Sequence, residues 1–175
     1  EFKLHFKIGD MVVYPNQGVG EIRDVFSQDI MGREQKFYKL RILANDSIVM
    51  IPITNVENVG LRRLSSEKDL KSLFLILESN SFEGEQDWKN RYKENVEKMK
   101  TGSIVEVGQV LQNLYFLSFA KPLSFREKKM YDRARQLVIS EISTVRGEPE
   151  GDVEQSVDTM LSNAYERHSE TQVLG

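Results

Sequence analysis

Hydrophobic and polar positions alternate in short segments through the first part of the chain. A β-rich run at 12–14 ends at a Pro-Asn-Gln-Gly turn, and three more segments with strand patterns follow at 19–26, 37–43 and 48–53. In 37–43 the apolar residues recur at every second position, which is typical of a half-buried strand. About five short strands in so few residues predict a small Tudor-like or SH3-like β-barrel.

From Ser66 onward the apolar positions recur at helical spacing instead. The pattern predicts four helices and a last amphipathic segment, over 66–77, 87–100, 103–120, 124–145 and 152–164. Ser124 and Glu127 form a capping box, which indicates where the fourth helix begins. Pro122 ends the helix before it.

These patterns predict a multidomain chain of the α+β class. The predicted parts are a β-domain at 1–66, an all-α domain at 67–146, and an acidic linker with a C-terminal amphipathic helix at 147–175. The linker is the Gly- and Pro-containing stretch 147–151, which is typical of a break between helices.

Charge is distributed unevenly over these parts. The formal net charge is −3, but residues 147–175 carry seven acidic residues and one basic residue, whereas residues 88–135 carry eleven basic and five acidic residues. A basic surface that could contact DNA phosphates therefore coexists with an acidic C-terminal segment. We hypothesise that this segment masks the basic surface in the free protein, so that removing residues 147–175 raises DNA affinity.

Candidate catalytic and metal-binding residues are few. The chain has no cysteine and two histidines, and neither His5 nor His168 has a partner at ligand spacing. The glycine pair at 18–20 lacks the lysine of a phosphate-binding loop and is better explained by a hairpin turn. We therefore predict that the chain is not an enzyme and that it holds no metal and no cofactor.

An acidic group at Glu83, Glu85 and Asp87 precedes the second predicted helix. It could form a metal or acid–base cluster, but acidic residues at this position also favour the helix dipole, which is the simpler explanation. The longest apolar run, at 73–77, is far too short to cross a bilayer. A cytoplasmic protein without a membrane partner is predicted.

Trp88 is the only tryptophan and lies at the start of the second predicted helix. A lone tryptophan is most often an anchor in a core or an interface. The alternative is an exposed wedge in a DNA minor groove, with Lys89, Arg91 and Lys93 binding backbone phosphates. The residues alone leave both interpretations open.

A second basic cluster lies on the helix that begins at Ser124. Its members are Arg126, Lys128, Lys129, Arg133 and Arg135. Such charges form either a solvated helix face or a contact with DNA, and the pattern by itself favours neither.

Motifs in both halves of the chain resemble the CarD family (CarD/CdnL), over residues 6–142. The opening FKIGDMVVYPNQGVGEI at 6–22 is similar to an F-x-x-G-D-x-V-V-Y-P-x-x-G motif that this family shares with the polymerase-interacting domain of transcription-repair coupling factors. Two later segments, W-x-x-R-Y-K at 88–93 and LSFREKKMYDRARQLVISE at 123–141, resemble the C-terminal half of CarD. They separate the two families.

The resemblance implies a bacterial transcription regulator whose β-domain binds the lobe of the RNA polymerase β subunit. The family positions for this contact correspond to Gln28, Ile30 and Met50. Some relatives have basic side chains at the first and third positions, so a more apolar interface is expected here. A monomer associated with the nucleoid through polymerase is also expected.

For the helical domain, the resemblance implies a DNA contact at the upstream edge of the melted promoter bubble. Trp88 matches the family's wedge tryptophan, and Arg91, Lys93 and Lys128 fall at basic family positions. Asn90 replaces a residue that is basic in some members, which puts one phosphate contact in doubt. The wedge would stabilise the open complex without strong sequence specificity.

The alternative function is that of a protein–protein adaptor on RNA polymerase without direct DNA contact. In that case Trp88 is buried in the helical domain and the basic stripe is merely solvated. A Trp88→Ala variant separates the two, because only a buried tryptophan is needed for folding.

Overall fold

A computed structural model of the chain describes the backbone of residues 5–79 and 88–174, and the side chains of residues 5–79 and 90–171. The chain divides into two compact units, Glu1–Leu64 and Ser65–Gly175. The first unit is built on a β-sheet and the second on helices. The predicted α+β class, with a small Tudor-like β-domain before an all-α domain, is confirmed.

Within the described part of the first unit, an antiparallel sheet has the strand order β4-β3-β2-β1-β5. The strands are β1 (Met11–Tyr14), β2 (Gly18–Ile30), β3 (Arg33–Ile42), β4 (Ile48–Pro52) and β5 (Arg62–Arg63). A 3-10 turn (Ile53–Asn55) and a one-turn helix, α1 (Val56–Val59), lead from β4 to β5. The last strand returns to pair with the first, which is the strand order of an SH3-like barrel.

The β2–β3 hairpin is longer than the hydrophobic pattern predicts. Its ladder continues to the pair Ile30–Arg33, and the tip is formed by Met31 and Gly32, which have φ angles of 52° and 79°. Positive φ at both central residues is typical of the tight turn that suits the twist of a hairpin. This end of the hairpin extends beyond the core. Residues 27–36 are therefore largely polar and do not show the alternation of apolar and polar positions that predicts a half-buried strand.

The core of the β-domain lies against one face of this sheet. Ile22, Tyr38, Leu40 and Ile42 are each at most 1% exposed. The hydroxyl group of Tyr38 accepts hydrogen bonds from the backbone N–H groups of His5 and Phe6, at 2.9 Å and 3.0 Å. A buried phenol needs such partners, so the core tolerates this polar group.

The second unit contains helices α2 to α6 in its described part. Their bounds are α2 (Glu67–Leu77), α3 (Trp88–Thr101), α4 (Ile104–Ala120), α5 (Phe125–Arg146) and α6 (Glu150–Leu174). Ser66 with Asp69, and Ser124 with Glu127, form complete capping boxes at the starts of α2 and α5. Gly147, with a φ angle of 64°, ends α5. A left-handed glycine is the usual C-terminal cap.

The C-terminal helix shares one core with the rest of this unit. Val153, Val157 and Leu161 of α6 are each at most 1% exposed and belong to the same hydrophobic cluster as residues of α2, α4 and α5. The helix begins at Glu150, two residues before the predicted start, and continues well past the predicted end. Residues 147–175 are therefore not a detachable tail, and removing them would expose the core.

A buried carboxylate fixes the first residue of the helical unit. Glu141 on α5 is 2% exposed, and its Oε2 accepts hydrogen bonds from the backbone N–H of Ser65, at 2.8 Å, and from the Ser65 hydroxyl group. The chain enters the helical unit at Ser65, so this contact holds the start of the unit against α5.

Candidate functional site

The alternating side chains of strand β3 define an inner and an outer face of the sheet. Its residues Tyr38, Leu40 and Ile42 are buried, so the odd-numbered residues of β3 lie on the opposite, outer face. Side chains of β2 and β4 that pair with odd-numbered residues of β3 share that face.

Gln28, Ile30 and Met50 all pair with odd-numbered residues of β3. They are all exposed, Ile30 to 41% and Met50 to 55%. The partners of Gln28 and Met50 are four residues apart on β3, which corresponds to about 13 Å along the strand. The fold thus gathers these three residues, far apart in sequence, on one outer face of β2, β3 and β4.

An aromatic pair that the sequence analysis missed lies between these residues. Phe26 and Phe37 are cross-strand partners, with ring centroids 5.5 Å apart and an angle of 16° between the rings. Phe37 is also opposite Pro52 on β4. Because aromatic side chains supply much of the energy of protein interfaces, this pair strengthens the outer face as a contact surface. Hydrophobic patterning alone does not identify this pair, because the residues two positions away in each strand are polar and a lone apolar residue in a strand is normally expected in the core.

The histidines have local structural contacts. His5 donates its backbone N–H to Tyr38, and the ring of His168 lies 5.3 Å from that of Phe116. Among the described residues, no group of three or more His, Cys, Asp or Glu side chains could hold a metal ion. Glu83, Glu85 and Asp87 lie outside those residues. The glycine pair at 18–20 is part of the β1–β2 hairpin, as predicted.

Helix α3 begins at Trp88 and continues with Lys89. The side chains of these two residues lie outside those that the structure describes. Asn90 and Lys93 are exposed, whereas Arg91 is half-buried. The first turns of α3 therefore offer Lys93 directly to solvent and Arg91 only in part.

One stripe of α3 packs into the helical unit. Asn95 and Met99 are 1% and 5% exposed, and Tyr92, one turn before Asn95, is half-buried. Trp88 precedes these residues by four, seven and eleven positions, a spacing that is typical of a single helix face.

The starts of α3 and α5 meet at a cation–π contact. The guanidinium carbon of Arg126 lies 4.4 Å from the ring centroid of Tyr92. The two residues are 34 positions apart in sequence, yet both belong to the first turns of their helices. The contact places Arg126 beside the first turns of α3, and we call the exposed residues Lys93, Arg126 and Lys129 the basic surface.

The predicted basic cluster on α5 is divided between two sides of the helix. Lys129 and Arg133 follow Arg126 by three and seven residues, so the three lie on one stripe, which meets α3 at Arg126. Lys128 and Arg135, seven residues apart, lie on another stripe. All are exposed except Arg135.

Arg135 is neutralised by α6. Its guanidinium group donates hydrogen bonds to Glu154, at 2.7 Å, and to Asp158, at 2.9 Å. These hydrogen bonds raise the pKa of Arg135 above its already high value, and the one to Asp158 has the larger effect. Among the cationic residues of α5, Arg135 is the one that forms ion pairs with α6 in the described part of the chain. The acidic helix thus masks Arg135 and leaves Arg126, Lys128 and Lys129 exposed.

None of the described helices is long and apolar enough to cross a membrane.

Comparison with known proteins identifies both halves of the chain. Residues 6–65 match the family model described as CarD-like/TRCF RID domain, and residues 72–158 match the model of the CarD C-terminal domain. A Bacillus subtilis (strain 168) protein described as "Putative transcription factor YdeB" is 33% identical over 142 residues, which are 81% of this chain and 93% of that protein.

Two solved structures from Myxococcus xanthus are similar to part of the chain, and each covers 38% of it. CdnLNt is 47% identical and 93% covered, with a TM-score of 0.32. The 72-residue N-terminal domain of CarD, determined by NMR in solution, is 32% identical and 88% covered, with a TM-score of 0.30.

The two family models match consecutive parts of one chain, and the similarity to YdeB spans most of both proteins. The expected resemblance is confirmed: the chain belongs to the CarD family of transcription factors.

Proposed function

We propose that this transcription factor binds the lobe of the RNA polymerase β subunit through the outer face of β2, β3 and β4, and stabilises the open promoter complex through the basic surface of α3 and α5. The observation that carries the proposal is the contact between Arg126 and Tyr92. It joins two basic clusters, which are separate in sequence, at the helix end that begins with Trp88.

The outer face of the sheet suits a protein partner. It combines the exposed side chains of Ile30, Ile48 and Met50 with the stacked pair of Phe26 and Phe37. β4 is an end strand of the sheet, so one side of its backbone is not paired within this sheet and is open to another strand. An apolar and aromatic centre with polar surroundings is the usual composition of a specific interface.

The basic surface suits DNA held close by such an attachment. Lys93, Arg126 and Lys129 of the basic surface are exposed, as is Lys128 on the other stripe of α5, and each cation can neutralise one backbone phosphate. So few phosphate contacts give weak binding in free solution, but attachment to polymerase raises the effective concentration of the DNA. Sequence specificity then comes from the polymerase and its sigma factor, because phosphate contacts carry no base information.

Trp88 supplies the preference for melted DNA in this proposal. Its Cα lies four residues, about 6 Å, from the level of Tyr92 along α3, at the end of the basic surface. An indole that inserts where the strands separate binds the open complex and not the closed one. A preference of about 1.4 kcal/mol shifts that equilibrium tenfold.

A second candidate function is that of an adaptor on polymerase without DNA contact. Trp88 shares its helical spacing with the buried residues Asn95 and Met99, and this spacing favours a packing role for the indole. The two functions differ in the effect of Trp88→Ala on folding, because a packed tryptophan contributes about 3–5 kcal/mol to stability.

A substitution on the outer face tests the attachment to polymerase. We expect Met50→Asp in the full chain to weaken binding to RNA polymerase at least tenfold, because a carboxylate replaces an apolar side chain in the interface. Ile8→Asp is the matched control: Ile8 is 63% exposed in the same unit, but precedes the sheet. Equal polymerase binding by both variants in a pull-down would contradict the proposed surface.

A further inference from the structure

We propose that Phe125 is a second aromatic DNA contact, on which an unpaired base of the opened promoter stacks. This inference rests on the proposed DNA-binding function of the basic surface and adds a residue and a ligand to it: a flat, unstacked nucleobase next to the phosphates.

Phe125 is the first residue of α5 and its side chain is 73% exposed. The position of its backbone is well fixed. Ser124 accepts a hydrogen bond from the backbone N–H of Glu127, and Glu127 Oε1 accepts one from the backbone N–H of Ser124, at 2.9 Å. A large apolar ring is therefore presented to solvent from a rigid helix start, an arrangement that contributes little to the core.

The surroundings of the ring are cationic. The Nζ atom of Lys129, one turn further along α5, lies 4.6 Å from the ring centroid of Phe125, and Arg126 and Lys128 are exposed next to it. Glu127 is the only acidic residue of this turn, and its carboxylate is buried at the cap. The surface around the ring is thus positive. Its partner is therefore expected to be a polyanion and not a protein surface with few acidic residues.

An aromatic ring among cations is the arrangement that binds single-stranded nucleic acid. Bases stack on the ring while the cations neutralise the backbone, and the contact tolerates any sequence because every base has a π-face. A duplex hides those faces except where its strands separate. Phe125 should therefore distinguish forked DNA from a closed duplex, whereas the cations should bind both.

The neighbouring contact connects this ring with the start of α3. Arg126 follows Phe125 directly and lies over Tyr92, one turn from Trp88. The starts of α3 and α5 thus meet at this contact.

The test compares the binding of two DNA probes by the 175-residue chain at low salt. We expect Phe125→Ala to weaken binding to a forked oligonucleotide with a single-stranded arm about tenfold, which corresponds to the loss of one stacked base. Binding to a blunt duplex of the same sequence should not change. Phe125→Tyr, which keeps the ring, should bind the fork like the unsubstituted protein.

Leu75→Ala is the matched control, because Leu75 is 71% exposed on α2 of the same unit; it should bind both probes normally. The proposal is overturned if Phe125→Ala binds the fork normally, loses fork and duplex equally, or is not rescued by tyrosine. If Arg126→Gln weakens both probes while Phe125→Ala weakens neither, only the stacking inference fails. If the unsubstituted protein binds neither probe, the proposed DNA contact fails with it.

Discussion

Gly108 shows how one residue limits the packing of the helical unit. A Cβ atom built at this position of α4 would overlap the Cδ1 atom of Leu73 on α2. Leu73 is 0% exposed, so its side chain has little room to move. The close approach of α2 and α4 therefore requires glycine here.

We expect Gly108→Ala to lower the free energy of unfolding by about 1–3 kcal/mol, because overpacking outweighs the better helix propensity of alanine. Gly151→Ala on α6 is the control, since nothing lies within 4 Å of its Cβ position; it should stabilise by at most about 1 kcal/mol. Denaturant titration measures both. A stabilised Gly108→Ala variant would disprove this account of the α2–α4 contact.

A second prediction for a single residue concerns Glu141. Glu141→Ala leaves the N–H and hydroxyl groups of Ser65 without this acceptor inside the protein, which costs about 1–3 kcal/mol. Glu141→Gln keeps a carbonyl oxygen for the same hydrogen bonds and should cost less. Thermal unfolding of the two variants checks the order; equal losses would contradict the role assigned to an acceptor oxygen at this position.

Local features of single residues were predictable from sequence. The capping boxes at Ser66 and Ser124 involve residues three positions apart, so the signal is contained in a short segment. The exposed ring of Phe125 was not predicted, because it stands inside such a capping motif and its exposure depends on how α5 packs. The same holds for Phe26 and Phe37 on the sheet.

Among the elements, α6 differs most from expectation. Its hydrophobic spacing predicts an amphipathic helix at 152–164, whereas the helix spans Glu150–Leu174, and its residues Val153, Val157 and Leu161 belong to the core. Deleting residues 147–175 would therefore unfold the domain and could not test masking of the basic surface. The hydrophobic spacing was visible in the sequence, but how many residues α6 spans depends on packing against α4 and α5.

A charge substitution tests masking without removing the helix. Glu154→Gln with Asp158→Asn frees Arg135 from its ion pairs, and we expect DNA affinity to rise about two- to fivefold at low salt. Glu166→Gln with Glu170→Gln changes the net charge equally at exposed positions further along α6. Fluorescence anisotropy with duplex DNA gives both affinities. Equal increases would indicate a general charge effect and no masking.

At the scale of the whole molecule, the sequence predicts the order of the two units and their kinds of secondary structure, because each has its own periodicity. It does not predict which residues meet. The contact of Arg126 with Tyr92 spans 34 positions and depends on how α3 and α5 pack, and the outer face of the sheet depends on strand register. The family motifs suggested residues for the proposed contacts, and the fold shows which of the described ones share a surface.

The central claim is that one chain joins polymerase to the melted edge of the promoter. Attachment and DNA contact are assigned to different units, so they should be separable. Substitutions on the sheet should remove both polymerase binding and the effect on promoters, whereas a substitution at the start of α3 should remove only the second.

The lifetime of open promoter complexes, measured after a competitor challenge with Trp88→Ala, tests this claim most directly. The account predicts a variant that is folded by circular dichroism and binds polymerase normally, but shortens the added lifetime of the open complex about tenfold. A folded, polymerase-bound variant that extends the lifetime as well as the unsubstituted protein would contradict it. So would a variant that unfolds, because the indole would then be part of the core.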